Sequence, residues 1–524
     1  MKGREARAKT QSRQNSGIHG LNAPKKWGPH TGPECLHKRG TGEGGTGGGG
    51  TGGGGTVWGD GLHRSTAPLR VSSKYKMSLT NRGSIGHDGI QSHRSTTFKM
   101  MSSWVPDIDT SSDFSLANIP FGIVTTPDDS APHVAVAIGS YILDLKVLAA
   151  HSDLTRLLPG IHGIAETFSQ PTLNAFAQLG RAIHRQVRGG IQDLLSADTQ
   201  HPEILRDNDE LRKKALLPQR AVKMHLPMEI GDYTDFYAGY HHAYAIGAMF
   251  RGPDNALQPN YLHLPIGYHG RASSVVVSGT PVHRPTGQML LEGKQPPVTG
   301  PSRKLDFELE LGCFIARGND MGRPIGVGEA EEHIFGYVLL NDWSARDIQA
   351  WEYVPLGPFN SKNFATTVSA WVVLADALEP FKSRGIENKT ELQEYLKEGR
   401  HENVFDIRLE VDLTTAEGDT TTISRTNSRN LIWSFPQMIA HHTLGGCPMR
   451  TGDLLGSGTI SGPGGPDKPG SLLEMTENGK REVLLAGMDA RTFLKDGDTV
   501  TLRGSCGADG ARVGFGECRG RVYV

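Results

Sequence analysis

The chain has few of the features that mark secreted, membrane-spanning or zinc-ribbon proteins. Its 524 residues include only five cysteines, with no CxxC pair. These are Cys35, Cys313, Cys447, Cys506 and Cys518. An odd number without pairing motifs argues against a disulfide framework and fits a reducing compartment, so we expect a cytoplasmic protein. The most apolar stretch, 134–150, is interrupted by Asp144 and Lys146, which argues against a bilayer span.

Net charge is also small, but the formal value of −1 hides a strong asymmetry. Residues 1–99 contain sixteen Lys and Arg against five Asp and Glu, whereas residues 100–524 contain thirty-nine against fifty-one. An acidic body disfavours nucleic acid as a partner and suits a protein that collects a cation.

Glycine is abundant, and its densest run is 44–55, which is broken only by threonine. Such a segment cannot bury enough apolar surface to offset its ordering entropy, so we predict that residues 1–100 form a disordered basic extension. The extension is poor in acids, as organelle transit peptides are, but it lacks their amphipathic periodicity. A dispensable tail or an upstream extension of the gene model is the alternative.

The rest of the chain predicts two domains of a mainly β (α+β) protein. In residues 101–225, short strands at 119–124 and 134–145 precede helical patterns at 172–195 and 202–215, which indicates a small N-terminal domain.

Residues 226–524 are rich in short apolar runs separated by glycine and contain few long helical patterns, so a mixed or antiparallel sheet assembly is predicted there. The charged segment Lys389–Glu398 predicts a helix-like insertion at the surface.

Three separate segments carry acidic groups of chemical interest. If Lys304–Leu311 is a strand, Asp306, Glu308 and Glu310 share one face, either as a solvated acidic face or as a cation site. Asp235 falls in a turn-like, aromatic segment, where a capping role is common. Asp342 falls where an apolar strand meets a helix-forming stretch, and could cap that helix or bind an ion.

A helix after Asp342 would align Arg346, Gln349 and Tyr353 on one face, because they are spaced by three and four residues. An arginine, an amide and a phenol suit an anionic, oxygen-rich substrate, although a helix surface row can also be idle. His242 is a natural general base near neutral pH, yet most histidines have no catalytic role.

Long motifs distributed from Asp113 to Val522 make the chain resemble the fumarylacetoacetate hydrolase family. They include Gly231-Asp-Tyr-Thr-Asp-Phe-Tyr237, Leu264-Pro-Ile-Gly-Tyr-His-Gly-Arg-Ala-Ser-Ser274, Asn341-Asp-Trp-Ser-Ala-Arg-Asp-Ile-Gln349 and Trp351-Glu-Tyr-Val-Pro-Leu-Gly-Pro-Phe359. The resemblance implies an SH3-like barrel in residues 101–225, a β-sandwich roll in residues 226–524 and a homodimer. It also implies metal-dependent hydrolysis of the carbon–carbon bond of 4-fumarylacetoacetate to fumarate and acetoacetate, the last step of tyrosine and phenylalanine catabolism.

The resemblance further implies a role for each matching position. Ca²⁺ or Mg²⁺ would be held by Asp235, Glu308, Glu310 and Asp342, with Lys362 and Thr366 completing a smaller secondary site. His242 would activate water, oriented by Glu474, and the oxyanion would be steadied by Arg346, Gln349 and Lys362. The substrate would contact Tyr237, Arg251, Tyr268, Gln349, Tyr353 and Thr459.

Three alternatives stay open at this point. A relative acting on other 2-oxo acids or acylpyruvates would usually lack the N-terminal domain and the stretch 351–359, both present here. A zinc hydrolase would use histidines, but the spacing of His225, His241, His242 and His269 matches no HExxH-like motif. A catalytically inactive binding protein would have lost a metal ligand or the base, and none is missing.

Overall fold

The structure is a computed structural model that describes residues 102–151, 154–291 and 296–524. The predicted extension over residues 1–100 lies outside these ranges. Strands dominate the described ranges, which confirms the mainly β class. None of the helices in this part of the chain is both long and apolar enough to cross a membrane.

The N-terminal region combines one small sheet with several helices. Its strands are β1 (Phe121–Thr125), β2 (His133–Ile138), β3 (Tyr141–Asp144), β4 (Leu216–Pro218) and β5 (Lys223–His225). Its helices are α1 (Leu145–His151), α2 (Leu154–Leu157), α3 (Ile164–Phe168), α4 (Asn174–Gln178), α5 (Arg181–Leu195) and α6 (Asp209–Ala215). The strands form an antiparallel sheet in the order β4-β3-β2-β1-β5.

Most predicted elements of this region are present. Helix α6 begins later than predicted, at Asp209, because Asn208 caps it by accepting a hydrogen bond from the backbone N–H of Leu211. The SH3-like barrel and the domain boundary at residue 225 stay predictions.

The C-terminal region contains two larger sheets and short hairpins. Its strands are β6 (Tyr233–Phe236), β7 (Gly267–His269), β8 (Val275–Val277), β9 (Val282–His283), β10 (Thr286–Met289), β11 (Val298–Pro301), β12 (Leu305–Asp306), β13 (Leu309–Ile315), β14 (Ile334–Asp342), β15 (Ser344–Ala345), β16 (Thr366–Val368), β17 (Val373–Leu374), β18 (Lys382–Arg384), β19 (Glu402–Phe405), β20 (Arg408–Thr414), β21 (Thr420–Asn427), β22 (Leu454–Gly456), β23 (Val483–Leu484), β24 (Ala490–Arg491), β25 (Thr499–Cys506) and β26 (Val513–Tyr523). Its α-helices are α7 (Tyr240–Arg251), α8 (Arg346–Glu352), α9 (Ala375–Leu378), α10 (Phe435–Thr443) and α11 (Leu472–Met475).

The central sheet runs in the order β7-β6-β22-β13-β14-β16-β8, with β17 paired to β14. A second sheet runs in the order β21-β20-β25-β26-β9. The long apolar run of β14 is buried on both faces, as expected for an inner strand covered on both sides. Val338 and Leu340 pack into the core shared with the N-terminal region, whereas Tyr337 and Leu339 pack into the core shared with the second sheet.

The helix predicted at Lys389–Glu398 is absent. The structure has only a 3-10 turn at Glu394–Leu396, and Leu396 is fully buried. The carbonyl of Leu396 accepts a hydrogen bond from Gln437 Nε2, so tertiary contacts outweigh the local helix propensity of the charged residues.

Candidate functional site

The central sheet brings four acidic residues together from separate segments. Asp235 lies in β6 and not in the predicted turn, Glu310 lies in β13, and Asp342 ends β14. Glu308 lies in the short link between β12 and β13, so the predicted strand 304–311 is interrupted. Because β6, β22, β13 and β14 are successive neighbours, their acidic residues meet in one place.

These four residues form the carboxylate cluster: Asp235, Glu308, Glu310 and Asp342. Each offers one oxygen, and these oxygens all lie within 4.8 Å of one another. All four residues are buried, with at most 5% exposure, so a solvated acidic face is wrong for these positions. Asp235 Oδ1 and Glu310 Oε1 are buried without a hydrogen-bond partner among the described atoms.

The absence of a side chain at Gly456 keeps room for the cluster. Gly456 of β22 is paired with Asp235 of β6 on one side and Gly312 of β13 on the other. A Cβ on Gly456 would lie 2.6 Å from Asp235 Oδ1 and 3.0 Å from Glu310 Oε2. One of the two orphaned oxygens, Asp235 Oδ1, therefore borders the space that a methyl group at Gly456 would enter, and a buried set of carboxylate oxygens suits a bound hard cation.

Burial and mutual repulsion shape the charges of the cluster. The pKa of Asp235 is raised well above its usual range, first by burial and then by the charge of Asp342. Burial and the charge of Asp235 likewise raise the pKa of Glu310. Burial alone would raise the pKa of Glu308, but nearby Lys362 and Arg346 overcome it and lower this pKa to about 2. Asp235 and Glu310 therefore have less compensation from cationic side chains than Glu308 and Asp342, which contact Lys362.

Lys362 lies against the cluster, and its ammonium group points into it. Lys362 Nζ donates to Glu308 Oε2 and, over 2.7 Å, to Asp342 Oδ2. Thr366 Oγ1 donates to Asp342 Oδ1 at 3.0 Å, and Tyr268 OH donates to Asp342 Oδ2 at 3.0 Å. A cavity of about 320 Å³ opens beside these groups, with Tyr268, Asp342 and Lys362 in its wall. The part that Lys362 and Thr366 would play in a secondary cation site stays a prediction.

His242 and Glu474 form a buried pair near the cluster. His242 lies in α7, and its Nδ1 is 2.6 Å from Glu474 Oε2. The hydroxyls of Ser461 and Ser471 donate to the same oxygen at 2.8 and 3.0 Å. Burial would raise the pKa of Glu474, but the charge of His242 and these hydrogen bonds lower it. When the ring is neutral and donates from Nδ1 to this carboxylate, its Nε2 carries the lone pair and can accept a proton.

The predicted helix after Asp342 is present as α8, and it carries Arg346 and Gln349 of the predicted row. Arg346 is buried; its Nη2 lies 2.9 Å from Glu308 Oε1 and its Nη1 donates to Gln349 Oε1 at 3.2 Å. Tyr353 follows the helix and is 54% exposed, in a segment whose Leu356 and Phe359 are also exposed. The structure therefore joins Arg346 and Gln349 to the cluster, while Tyr353 lies at the surface.

Of the remaining predicted substrate contacts, Tyr237 and Thr459 lie near the site, whereas Arg251 is exposed. The ring of Tyr237 meets the His242 ring edge to face, with 5.6 Å between centroids, and Thr459 is buried three residues beyond Gly456. Arg251 is exposed at the end of α7, and donates to the carbonyls of Asn255 at 3.1 Å and Ala256 at 2.6 Å.

Four groups near the site were missed or set aside by the sequence reasoning. No role was predicted for Ser461 or Ser471, and Gly456 is one glycine among many. Asp306 was visible as the third acid of its strand face, but it matches no ligand of the family and joins Arg346 instead.

Comparisons with known proteins identify the family of the chain. The family model for the fumarylacetoacetate (FAA) hydrolase C-terminal region matches residues 233–523, and that for the fumarylacetoacetase N-terminal region matches residues 117–227. Fumarylacetoacetase of Aspergillus fumigatus is 58% identical over 427 residues, covering 80% of this chain and 98% of that protein. Human fumarylacetoacetase is 48% identical over 417 residues, covering 78% of this chain and 96% of that protein.

Among solved structures, fumarylacetoacetate hydrolase from Exiguobacterium antarcticum has a TM-score of 0.43 at 15% identity, covering 78% of this chain and 99% of that one. No conclusion rests on so low a similarity. The sequence matches alone are decisive: the chain belongs to the fumarylacetoacetate hydrolase family. Within that family it is a hydrolase of the fumarylacetoacetase type.

Proposed function

We propose that the chain hydrolyses a carbon–carbon bond of 4-fumarylacetoacetate, giving fumarate and acetoacetate, with the help of a divalent cation. The observation that carries the proposal is the buried His242–Glu474 pair beside the carboxylate cluster. His242 is close enough to Glu308 that its charge helps to lower the pKa of that carboxyl. The names of the matching relatives supply the substrate, since the cavity alone does not specify one diketo acid.

The carboxylate cluster fits the cation, because buried acids with orphaned oxygens are the donor set of a hard ion such as Ca²⁺ or Mg²⁺. Asp235, Glu308, Glu310 and Asp342 would hold it. When bound, such an ion supplies Lewis-acid stabilisation of negative charge on the diketone oxygens. We also propose the secondary contacts by Lys362 and Thr366 that the family resemblance implies.

The side chains of the chain supply the proton transfers. His242 Nε2 takes a proton from a water molecule, while Glu474 fixes the ring and stabilises the imidazolium. The resulting hydroxide adds to a carbonyl carbon of the substrate, forming a carbon–oxygen bond. The adduct then collapses, the carbon–carbon bond breaks, and its electron pair leaves as an enolate that is protonated to acetoacetate.

Donors around the site would stabilise the oxyanion of the adduct. Arg346, Gln349 and Lys362 take this role in the proposal, and one well-placed donor is worth about 2.7–4 kcal/mol in known enzymes. Substrate binding would involve Tyr237, Arg251, Tyr268, Gln349, Tyr353 and Thr459. The homodimer and the cytoplasmic location stay predictions.

The test is spectrophotometric, because hydrolysis destroys the conjugated diketone and its absorbance. We expect the purified chain to clear fumarylacetoacetate, and the His242→Ala variant to lose activity by a factor of about 10²–10⁴, the usual worth of a general base. His241→Ala is the matched control, since His241 is its half-buried neighbour on α7. Full activity in His242→Ala would refute the mechanism.

Two further measurements address the cation and the substrate. Chelation should abolish activity, and added Ca²⁺ or Mg²⁺ should restore it; restoration by Zn²⁺ alone would contradict the oxygen-ligated site. An enzyme that leaves fumarylacetoacetate intact but cleaves acylpyruvates would belong with the other diketo-acid hydrolases of the family.

A further inference from the structure

Asp306 accepts more hydrogen bonds than the cluster carboxylates, although it is outside the predicted ligand set. It is fully buried in β12. Its Oδ2 accepts from Arg346 Nε at 2.8 Å and from the backbone N–H of Leu473 at 2.9 Å. Its Oδ1 accepts from the backbone N–H of Leu472 at 2.7 Å and of Phe307 at 2.8 Å. Each carboxylate oxygen of Asp306 therefore accepts two hydrogen bonds.

The partners of Asp306 belong to the two halves of the reaction machinery. Arg346 is the buried guanidinium beside Glu308, while Leu472 and Leu473 form the first turn of α11, which carries Glu474. Two backbone N–H groups of that turn point at Asp306, so the carboxylate holds the helix start as well as the arginine. The Asp306 carboxylate thus links the helix that carries Glu474, the partner of His242, to Arg346, the proposed oxyanion donor.

We propose that Asp306 is a positioning residue that fixes Arg346 relative to the His242–Glu474 pair. This inference rests on the proposed function for the roles of Arg346 and His242. Asp306 touches no reacting atom in the proposal. Its effect is transmitted through the orientation of the guanidinium on one side and of the Glu474 carboxylate on the other.

An isosteric change tests this geometry. In Asp306→Asn one oxygen becomes an NH₂ group, which must face either Arg346 Nε and Leu473 N–H or the N–H groups of Phe307 and Leu472. The new NH₂ group then faces two N–H donors, and the two hydrogen bonds on that side of residue 306 are lost. We expect kcat to fall about 10–100-fold, the usual effect of removing a group that orients catalytic side chains, with KM changed less than threefold.

The matched control is Asp347→Asn. Asp347 is the next acid on α8, and it accepts from Ser302 Oγ at 2.7 Å and from the backbone N–H of Arg303 at 2.7 Å. Within the described ranges its side chain makes no hydrogen bond or ion pair with the side chains of Arg346, His242 or Glu474, so its loss should lower stability with little change in kcat. Equal kcat losses in the two variants, in proportion to their losses of stability, would reduce Asp306 to an ordinary structural anchor and overturn the proposal.

A spectroscopic measurement separates this proposal from the proposed function. The proton between His242 Nδ1 and Glu474 should give a downfield ¹H NMR signal, which His242→Ala identifies by its loss. We expect the signal to shift or broaden in Asp306→Asn and also in Arg346→Lys, which preserves the charge and the backbone bonds of Asp306. An unchanged signal in Arg346→Lys overturns the coupling, even if Asp306→Asn does not fold and whatever substrate the enzyme cleaves.

Discussion

Gly456 offers a sharp test of the cation site, because one added methyl group would enter it. In Gly456→Ala the new Cβ would lie 2.6 Å from Asp235 Oδ1, 3.0 Å from Glu310 Oε2 and 3.2 Å from Tyr233 OH. These distances are shorter than van der Waals contact. Gly456 is held between β6 and β13 by backbone pairing, so the carboxylates must move.

The movement should appear mainly as lost cation affinity. A methyl group inserted into a packed site costs about 1–3 kcal/mol in strain. Disturbing the metal ligands, or the groups that hydrogen-bond to them, typically weakens metal binding by about 10–100-fold. At 1.36 kcal/mol per factor of ten, this corresponds to about 1.4–2.7 kcal/mol. We therefore expect the Kd of Gly456→Ala for Ca²⁺ and Mg²⁺ to rise by one to two orders of magnitude.

Calorimetric titration of the cation-free protein measures this Kd directly. Gly300→Ala in β11 is the control, since a Cβ there would meet nothing within 4 Å. Its Kd should equal that of the unaltered chain. If Gly456→Ala binds the cation as tightly as Gly300→Ala does, the space beside Gly456 is not where the cation binds.

Two further predictions concern stability away from the site. The buried His133 lies 2.9 Å from Asp144; burial alone would lower the pKa of His133, but this ion pair raises it above 6.5. The stability gained from His133 is thus complete below pH 6.5 and lost as pH rises through the folded-state pKa, so the unfolding free energies of the chain and of His133→Gln should converge at alkaline pH in denaturant titrations; a constant gap would contradict this. In α5, Gly189→Ala adds a methyl group that meets nothing within 4 Å and should raise the unfolding free energy by about 1 kcal/mol. Gly190→Ala should not, because its Cβ would lie 2.7 Å from Leu158 Cδ2, and equal gains in both variants would show that packing at this helix face is irrelevant.

The sequence was sufficient for elements whose local pattern and tertiary setting agree. The apolar run of β14 and the helical row from Arg346 to Gln349 are present as predicted. The segment Lys389–Glu398 was wrongly predicted because its charges favour a helix while Leu396 is buried in the core.

For the site, prediction from the sequence was limited in a different way. Alternation along 304–311 identified which acids share a face, but no local pattern distinguishes a solvated acidic face from a buried one. The burial of Glu310 depends on β14 and β22, which lie far away in the chain. The contacts of Asp306 depend on Leu472 and Leu473, about 170 residues later, so they could not be read from its neighbours.

The ammonium of Lys362 inside the carboxylate cluster has a consequence for how the protein matures. Glu308 and Asp342 already have a covalently tethered counter-charge, so only part of the acidic charge relies on an ion from solution. Small zinc domains, by contrast, remain unfolded until their metal arrives. We therefore expect this chain to complete its fold as an apoprotein and to acquire the cation afterwards, as a loading step of a finished enzyme.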